Sequence, residues 1–215
     1  KIFNMIAIFG GTFDPVHLGH LNMATQCVNT FNLSTLYFMP CALPAHKAAP
    51  GISTAHRINM LNAAIAPYPH FALDLRELNR TGPSYSLLSL QELRAEHPDT
   101  PILFLMGMDS FNNLDKWYEW QAITQLCHIV VYHRPGQTCN PNKALKSYVS
   151  NAHTEAPQQL ATNNFGKLYF LSGETSPLRS IMEPIQTFDG NVINLIKILE
   201  FIKLNKIKTK FFYAS

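Results

Sequence analysis

Short unbroken apolar runs alternate along this chain with stretches in which apolar residues recur every three or four positions. Met5–Phe9, Leu36–Met39, Phe71–Leu75, Ile102–Met106, His128–His133 and Leu168–Leu171 are the short runs, and each predicts a strand. The stretches between them read as helices. Leu21, Ala24, Cys27, Val28 and Phe31 form one apolar face, and Ile58, Leu61, Ala64 and Ile65 form a second, with Ser53 or Thr54 as its cap. A third face carries Leu87, Leu88, Leu90 and Leu93; Ser84 is placed to cap this helix, which must end by His97 because Pro98 disfavours helical backbone before it. Glu119–Leu126 reads as a short helix, and the polar, proline-bearing stretch from Pro40 to Pro50 as a loop.

Strands that are apolar on both faces and separated by helices imply a parallel sheet covered on both sides, because neither face meets water. The expected fold is α/β, a doubly wound parallel sheet. In such sheets ligands bind beyond the carboxyl ends of the strands, so chemistry is expected in the loops after Phe9, Met39, Leu75, Met106, His133 and Leu171.

Composition narrows the function classes. The chain has 215 residues, 47% of them hydrophobic and 14% charged, which excludes a disordered polymer and suits one domain with its own core. No apolar run approaches the roughly 18 residues that cross a bilayer, and Met5–Phe9 is too short for a secretory signal, so a cytoplasmic protein is expected. The net charge is +3, but Lys197, Lys203, Lys206, Lys208 and Lys210 face only Glu200 in the last 21 residues, which leaves the body near neutral. That balance offers no clustered charge for nucleic acid or an anionic membrane. Cys27, Cys41, Cys127 and Cys139 form no C-x-x-C pair and are expected to be buried thiols, neither disulfides nor a metal site.

The loop after the first strand, Gly10-Gly11-Thr12-Phe13-Asp14-Pro15-Val16-His17-Leu18-Gly19-His20, carries the most chemistry. It matches neither the G-x-G-x-x-G turn nor the G-x-x-x-x-G-K-[ST] loop. Two adjacent glycines let backbone N–H groups approach an anion, and the helix starting near Val16 to Leu18 turns its unpaired N–H groups and positive dipole end to the same place. His17 and His20, three apart, share one face of the first turn, and Gly19 between them costs roughly 1 kcal/mol of helix stability relative to Ala. Such a cost suggests that something large packs against its backbone. The local design is a polyphosphate cradle. H-x-x-H alone provides only two metal ligands, with no further ligand at a recognised spacing.

These residues resemble the G-G-T-F-D-P-V-H-x-G-H-L signature of nucleotidylyltransferases, and the chain from Met5 to about Arg179 is similar to the bacterial nicotinate-nucleotide adenylyltransferases. Pro44-Ala45-His46-Lys47 is similar to the P-P-H-K loop of that family. Arg57–Leu61 follows, and then Arg76–Ser86 resembles its R-E-x-x-R-x-G-P-S-Y-T segment. Gly107-Met108-Asp109-Ser110 with Trp117–Trp120 resembles the G-x-D-S and W-Y-x-W region, and Arg134-Pro135-Gly136 an R-P-G loop.

The resemblance implies a Rossmann-like nucleotidylyltransferase fold, a single domain over residues 1–215 with a helical part from about residue 173. It also implies transfer of AMP from ATP to nicotinate mononucleotide, with Mg²⁺ bound alongside ATP and no general base. In this reading His17 and His20 are the catalytic pair, with His20 steadying the α-phosphate; Gly10, Gly11, Thr12, Lys47, Arg134, Ser176 and Arg179 contact ATP phosphates, and Gly107 and Asp109 the adenosine. Trp117 stacks on the pyridine ring, the backbone at Thr81, Gly82 and Tyr118 holds the nicotinate carboxylate, and His46, on the loop that carries Lys47, contacts the mononucleotide. Thr175–Arg179 departs from the family's S-T-x-I-R pattern, and the sequence beyond Asn191 departs from its usual ending. Two alternatives stay open at this stage: a related transferase acting on the amide mononucleotide or on phosphopantetheine, and a nucleotide-binding sensor without activity.

Overall fold

A computed structural model of the chain describes residues 4–42, 51–134 and 139–172. His46, Lys47, Ser176, Arg179 and the expected helical part from residue 173 lie outside the described residues.

Six strands form one sheet: β1 (Ile6–Gly11), β2 (Leu36–Pro40), β3 (Phe71–Leu73), β4 (Ile102–Gly107), β5 (His128–His133) and β6 (Leu168–Ser172). Their order is β3-β2-β1-β4-β5-β6, and every pairing is parallel. The chain winds outward from β1 in one direction and from β4 in the other, which is the expected doubly wound α/β sheet.

Alternation along the buried strands feeds two cores. Ala7, Phe9, Leu36, Phe38, Leu103 and Leu105 pack on one face against the apolar sides of α1 (Leu18–Phe31) and α2 (Thr54–Ile65). Ile8, Ile102, Phe104, Met106, Ile129 and Val131 pack on the other, against α3 (Ser86–Glu96) and the short helices α4 (Met108–Phe111) and α5 (Trp120–Thr124). Two covered faces are why these strands read as continuous apolar runs.

Two further helices, α6 (Lys143–Ala152) and α7 (Gln158–Ala161), complete the described chain. The first had a readable signal: Leu145, Tyr148, Val149 and Ala152 recur at helical spacing behind Asn142, whose side chain accepts a hydrogen bond from Leu145 N.

Four expectations change. Ser84 does not cap α3, which starts two residues later; its hydroxyl instead accepts a hydrogen bond at 3.1 Å from the backbone of Ala42. Leu88, expected on the inward face of α3, is exposed, and Ser89 is buried in that face. In α2 the inward residue at the start is Arg57 and not Ile58. Cys27, Cys41 and Cys127 are buried, as expected, whereas Cys139 is exposed.

No helix among the described residues is long and apolar enough to cross a membrane.

Candidate active site

The winding of the chain reverses between β1 and β4, and there the strands separate. Pairing of β1 with β4 ends at Phe9 and Leu105, while its pairing with β2 continues to Gly11 and Pro40. A crevice therefore opens beside Gly10 and Gly11 on one side and Gly107 on the other, at the place where open α/β sheets bind ligands.

The turn that lines it is tightly folded. Phe13 adopts a left-handed φ of 46°, and its ring folds back over Gly11, where a Cβ would stand 2.9 Å from Phe13 Cζ. Only glycine admits that approach. Phe13 and Phe9 then form a wall for His20, with ring centroids at 5.1 and 5.7 Å.

The histidines form a stacked pair at the start of α1. Their centroids are 3.7 Å apart and the planes differ by 26°. His17 is the N-cap residue, and its backbone N–H donates to His20 Nδ1 at 3.2 Å. Because that nitrogen accepts, the proton of a neutral His20 sits on Nε2. His17 is exposed as a residue, but desolvation of its packed ring, and secondly the Arg134 guanidinium, lower its pKa from the ordinary histidine value. Both effects favour the neutral ring.

Arg134 is the large neighbour that Gly19 leaves room for. A Cβ at Gly19 would lie 2.8 Å from Arg134 Nη2 and 3.0 Å from His17 Nδ1. The missing methyl lets a guanidinium at the exit of β5 sit against the first turn of α1. A hydrogen bond of 2.8 Å from Asn22 Nδ2 to Tyr132 Oη ties the same two elements together.

Across the crevice, Gly107 is the N-cap of α4 and Asp109 is exposed in its first turn. Trp117 is partly buried and meets Phe104 edge-on at 6.1 Å, while Phe104 also lies beside Gly10. Tyr118 is exposed and its ring rests on Tyr85 at 4.8 Å; Thr81 and Gly82, a few residues before Tyr85, are exposed as well. Asn112 Oδ1 accepts from Asn140 N at 2.9 Å, and Asn142 Nδ2 donates to Asp115. These bonds attach the chain after Arg134 to the segment that carries both Asp109 and Trp117. Among the described candidates, His17, His20 and Arg134 meet at the first turn of α1 beside Gly10, Gly11 and Thr12, Gly107, Asp109 and Trp117 follow β4, and Tyr118 touches Tyr85, three residues beyond Gly82.

Both flanks of the stretch that holds His46 and Lys47 are attached to this region. Ala42 N donates to Ser84, and Gly51 N donates to Asp14 Oδ2 at 2.9 Å.

Three polar residues without a role legible in the sequence, Arg57, Glu77 and Ser89, are buried nearby. Arg57 is fully buried, and its signal was its phase: Arg57, Met60, Leu61 and Ala64 share the inward face of α2. Glu77, also buried, accepts a hydrogen bond of 2.7 Å from Ser89 Oγ, while Arg80 donates to Ser89 Oγ at 3.1 Å. Burial is the largest influence on Glu77 and raises its pKa; Ser89 and Arg80 oppose it. Ionising this side chain inside the fold costs stability, so the Glu77 contribution is most favourable below the unfolded carboxyl value of 4.5 and is lost as pH rises through the folded value. The stability of Glu77→Gln relative to wild type is therefore expected to improve between pH 4.5 and 7, measured by urea unfolding at both. An unchanged difference would contradict the burial argument.

Comparison with known proteins adds a family. The Cytidylyltransferase-like family matches residues 8–202. A probable nicotinate-nucleotide adenylyltransferase of Psychromonas ingrahamii is 37% identical over 201 residues, covering 89% of this chain and 94% of that protein. Its counterpart in Cellvibrio japonicus is 40% identical over 174 residues, covering 80% and 82%. Among solved structures, the nicotinic acid mononucleotide adenylyltransferase of Plasmodium falciparum complexed with NaAD superposes with a TM-score of 0.62 at 17% identity, covering 95% of this chain and 97% of that one. At that identity the likeness speaks for the fold.

Proposed function

We propose, from the premise that this chain belongs to the cytidylyltransferase-like family and within it to the nicotinate-nucleotide adenylyltransferases, that it transfers the AMP moiety of ATP to nicotinate mononucleotide. The products are nicotinate adenine dinucleotide and pyrophosphate. The observation that carries this reading is the stacked His17–His20 pair, with Arg134 set against Gly19, at the point where β1 and β4 part.

A phosphate oxygen of the mononucleotide attacks the α-phosphorus of ATP in line; the new P–O bond forms as the bond to the β-phosphate oxygen breaks, and pyrophosphate leaves with that electron pair. The attacking oxygen is already ionised, so no protein group need remove a proton. The protein's task is to hold two anions together against their repulsion, and positioning of that kind is worth about 7–11 kcal/mol. Gly10 and Gly11 offer backbone N–H groups, Thr12 a hydroxyl, and His17 a neutral N–H donor to the phosphates. His20 Nε2–H points a donor at the α-phosphate as charge builds on it, and Arg134 supplies a cation near the same turn. Lys47, Ser176 and Arg179 complete the phosphate contacts in this reading, and His46 stands with the mononucleotide.

Gly107 and Asp109 meet the adenosine, the carboxylate accepting from ribose hydroxyls. Trp117 stacks on the pyridine ring, and backbone N–H groups near Thr81, Gly82 and Tyr118 bind the nicotinate carboxylate. Donors of that kind favour an acid over an amide, which offers fewer acceptors. Mg²⁺ in this reading arrives on the ATP phosphates, a cation that keeps much of its water and needs few protein carboxylates; the described residues contain no group of three His, Cys, Asp or Glu able to hold an ion alone. When bound it neutralises charge on the leaving pyrophosphate. We assign the whole of residues 1–215 to one domain acting in the cytoplasm.

Pyrophosphate release from ATP, followed with nicotinate mononucleotide, its amide and phosphopantetheine in parallel, tests the assignment. The acid is expected to give the highest kcat/KM. Preference for another acceptor would reassign the substrate, and ATP binding without turnover on any of them would identify a sensor.

A further inference from the structure

We propose that Arg57 is a positioning residue for adenylyl transfer, locking the turn after β1 and the root of the loop after β2 into one unit; this rests on the function proposed above. Its side chain is fully buried. Nη1 donates to the Thr12 carbonyl at 2.6 Å, and Nη2 donates to the Cys41 carbonyl at 2.8 Å and to Thr54 Oγ1 at 3.2 Å. The two loops also meet directly: Cys41 N donates to the Gly11 carbonyl at 3.0 Å, and the Cys41 thiol donates to Thr12 Oγ1 at 3.7 Å. Thr12 is thus fixed through its carbonyl and its hydroxyl, and the thiol leaves the hydroxyl's own proton free to donate.

The bond to Thr12 also sets a direction. In a trans peptide C=O and N–H point opposite ways, and among the described residues only Asp14–Pro15 is cis. With the Thr12 carbonyl turned down to the buried guanidinium, the Phe13 N–H of the same peptide is turned away from it. Arg57 therefore sets which face of this peptide looks outward.

Stability alone would not select this residue. All three acceptors are neutral, no carboxylate among the described residues forms an ion pair with the guanidinium, and Nε has no hydrogen-bond partner. Burying a cation so incompletely compensated is costly, and an apolar side chain of similar size would fill the same space without that cost. Two properties justify it. A planar fork can hold two carbonyls on separate loops at once, which an ammonium cannot reproduce. An unbalanced positive charge below an anion site, away from water, also favours polyphosphate.

The test compares wild type with Arg57→Lys, Arg57→Met and Thr54→Val, reading melting temperature, calorimetric affinity for a non-hydrolysable ATP analogue, and kcat and KM for both substrates. Arg57→Lys keeps the charge and loses the fork; it is expected to fold, to bind the analogue about tenfold more weakly and to lose about tenfold in kcat, with KM for the mononucleotide within twofold. Arg57→Met should be worse on every ATP readout. Thr54→Val, which removes only the third acceptor, should show a smaller loss of the same kind and decides the matter if the Arg57 variants fail to fold. Variants that retain wild-type analogue affinity and kcat per folded molecule, with only a lower melting temperature, would make Arg57 structural and overturn the proposal. If wild type binds the analogue but makes no dinucleotide, the proposed function fails, and Arg57 is still judged on the affinity series; if wild type binds no analogue, both fail.

Discussion

Replacing His20 with alanine is expected to lower kcat by about a hundredfold to a thousandfold, the loss that accompanies removal of one donor aimed at charge developing in a transition state. The size follows from how the ring is held. Its Nδ1 is occupied by the His17 backbone N–H at 3.2 Å, which commits a neutral ring to a proton on Nε2. Stacking on His17 and the walls of Phe9 and Phe13 hold the ring's orientation, so little reorganisation is needed when charge appears. Because the donor acts on charge absent from the ground state, KM for ATP should move far less than kcat. His17→Ala should behave differently, weakening ATP binding and also releasing the ring that His20 stacks on. Steady-state pyrophosphate release separates the two. A His20→Ala enzyme with unchanged kcat and a raised KM would mean that the ring only binds substrate.

The sheet was legible because its physics is local and repetitive. The central strands β1, β4 and β5 are buried on both faces and so appeared as apolar runs, the partly buried edge strands β3 and β6 were short apolar runs as well, and helix faces such as Leu21–Phe31 followed from their spacing. The cradle was legible for a different reason: paired glycines, a helix start and two histidines one turn apart are all within eleven residues, and even the cost of Gly19 signalled a close neighbour. Which neighbour was not legible. Arg134 is 115 positions along the chain, and only the pairing of β1 with β4 and β4 with β5 brings it to the first turn of α1.

The same limit hid the buried polar residues. Ser84 precedes a helix and so reads as its cap, but the hydroxyl is engaged by Ala42, more than forty residues earlier, and α3 begins late. Arg57 lies in the inward phase of an otherwise apolar helix face, where a pattern of apolar spacing passes over a charged residue and takes Ile58 instead. The partners that make its burial tolerable, the carbonyls of Thr12 and Cys41, exist only after two strands have paired. Periodicity records what one segment does with its own neighbours; these side chains are defined by contacts between segments.

Gly19→Ala is expected to separate stability from activity. In the first turn of α1 an alanine is worth up to about 1 kcal/mol over glycine, or roughly 2–4 °C in melting temperature for a chain of this size. The new Cβ would meet Arg134 Nη2 at 2.8 Å, and that atom is the far end of a flexible side chain that can swing away. His17 cannot yield as easily, because 3.0 Å separates the Cβ position from two of its ring atoms and the ring is stacked on His20. The fold should therefore hold, while the guanidinium moves off and the histidine pair is disturbed. A loss in kcat/KM for ATP of about tenfold to a hundredfold is expected, equivalent to about 1.4–2.8 kcal/mol of transition-state stabilisation. Part of that loss is the displacement of Arg134, so Gly19→Ala should cost less in an Arg134→Ala background than in wild type, because the two changes share a contact. A cycle of the two single variants and the double variant, read in melting temperature and in kcat/KM, measures this directly. Full additivity would mean that Arg134 does not act through its position beside Gly19; a single variant with wild-type kinetics would mean that the close packing of this turn has no bearing on how the phosphates are held.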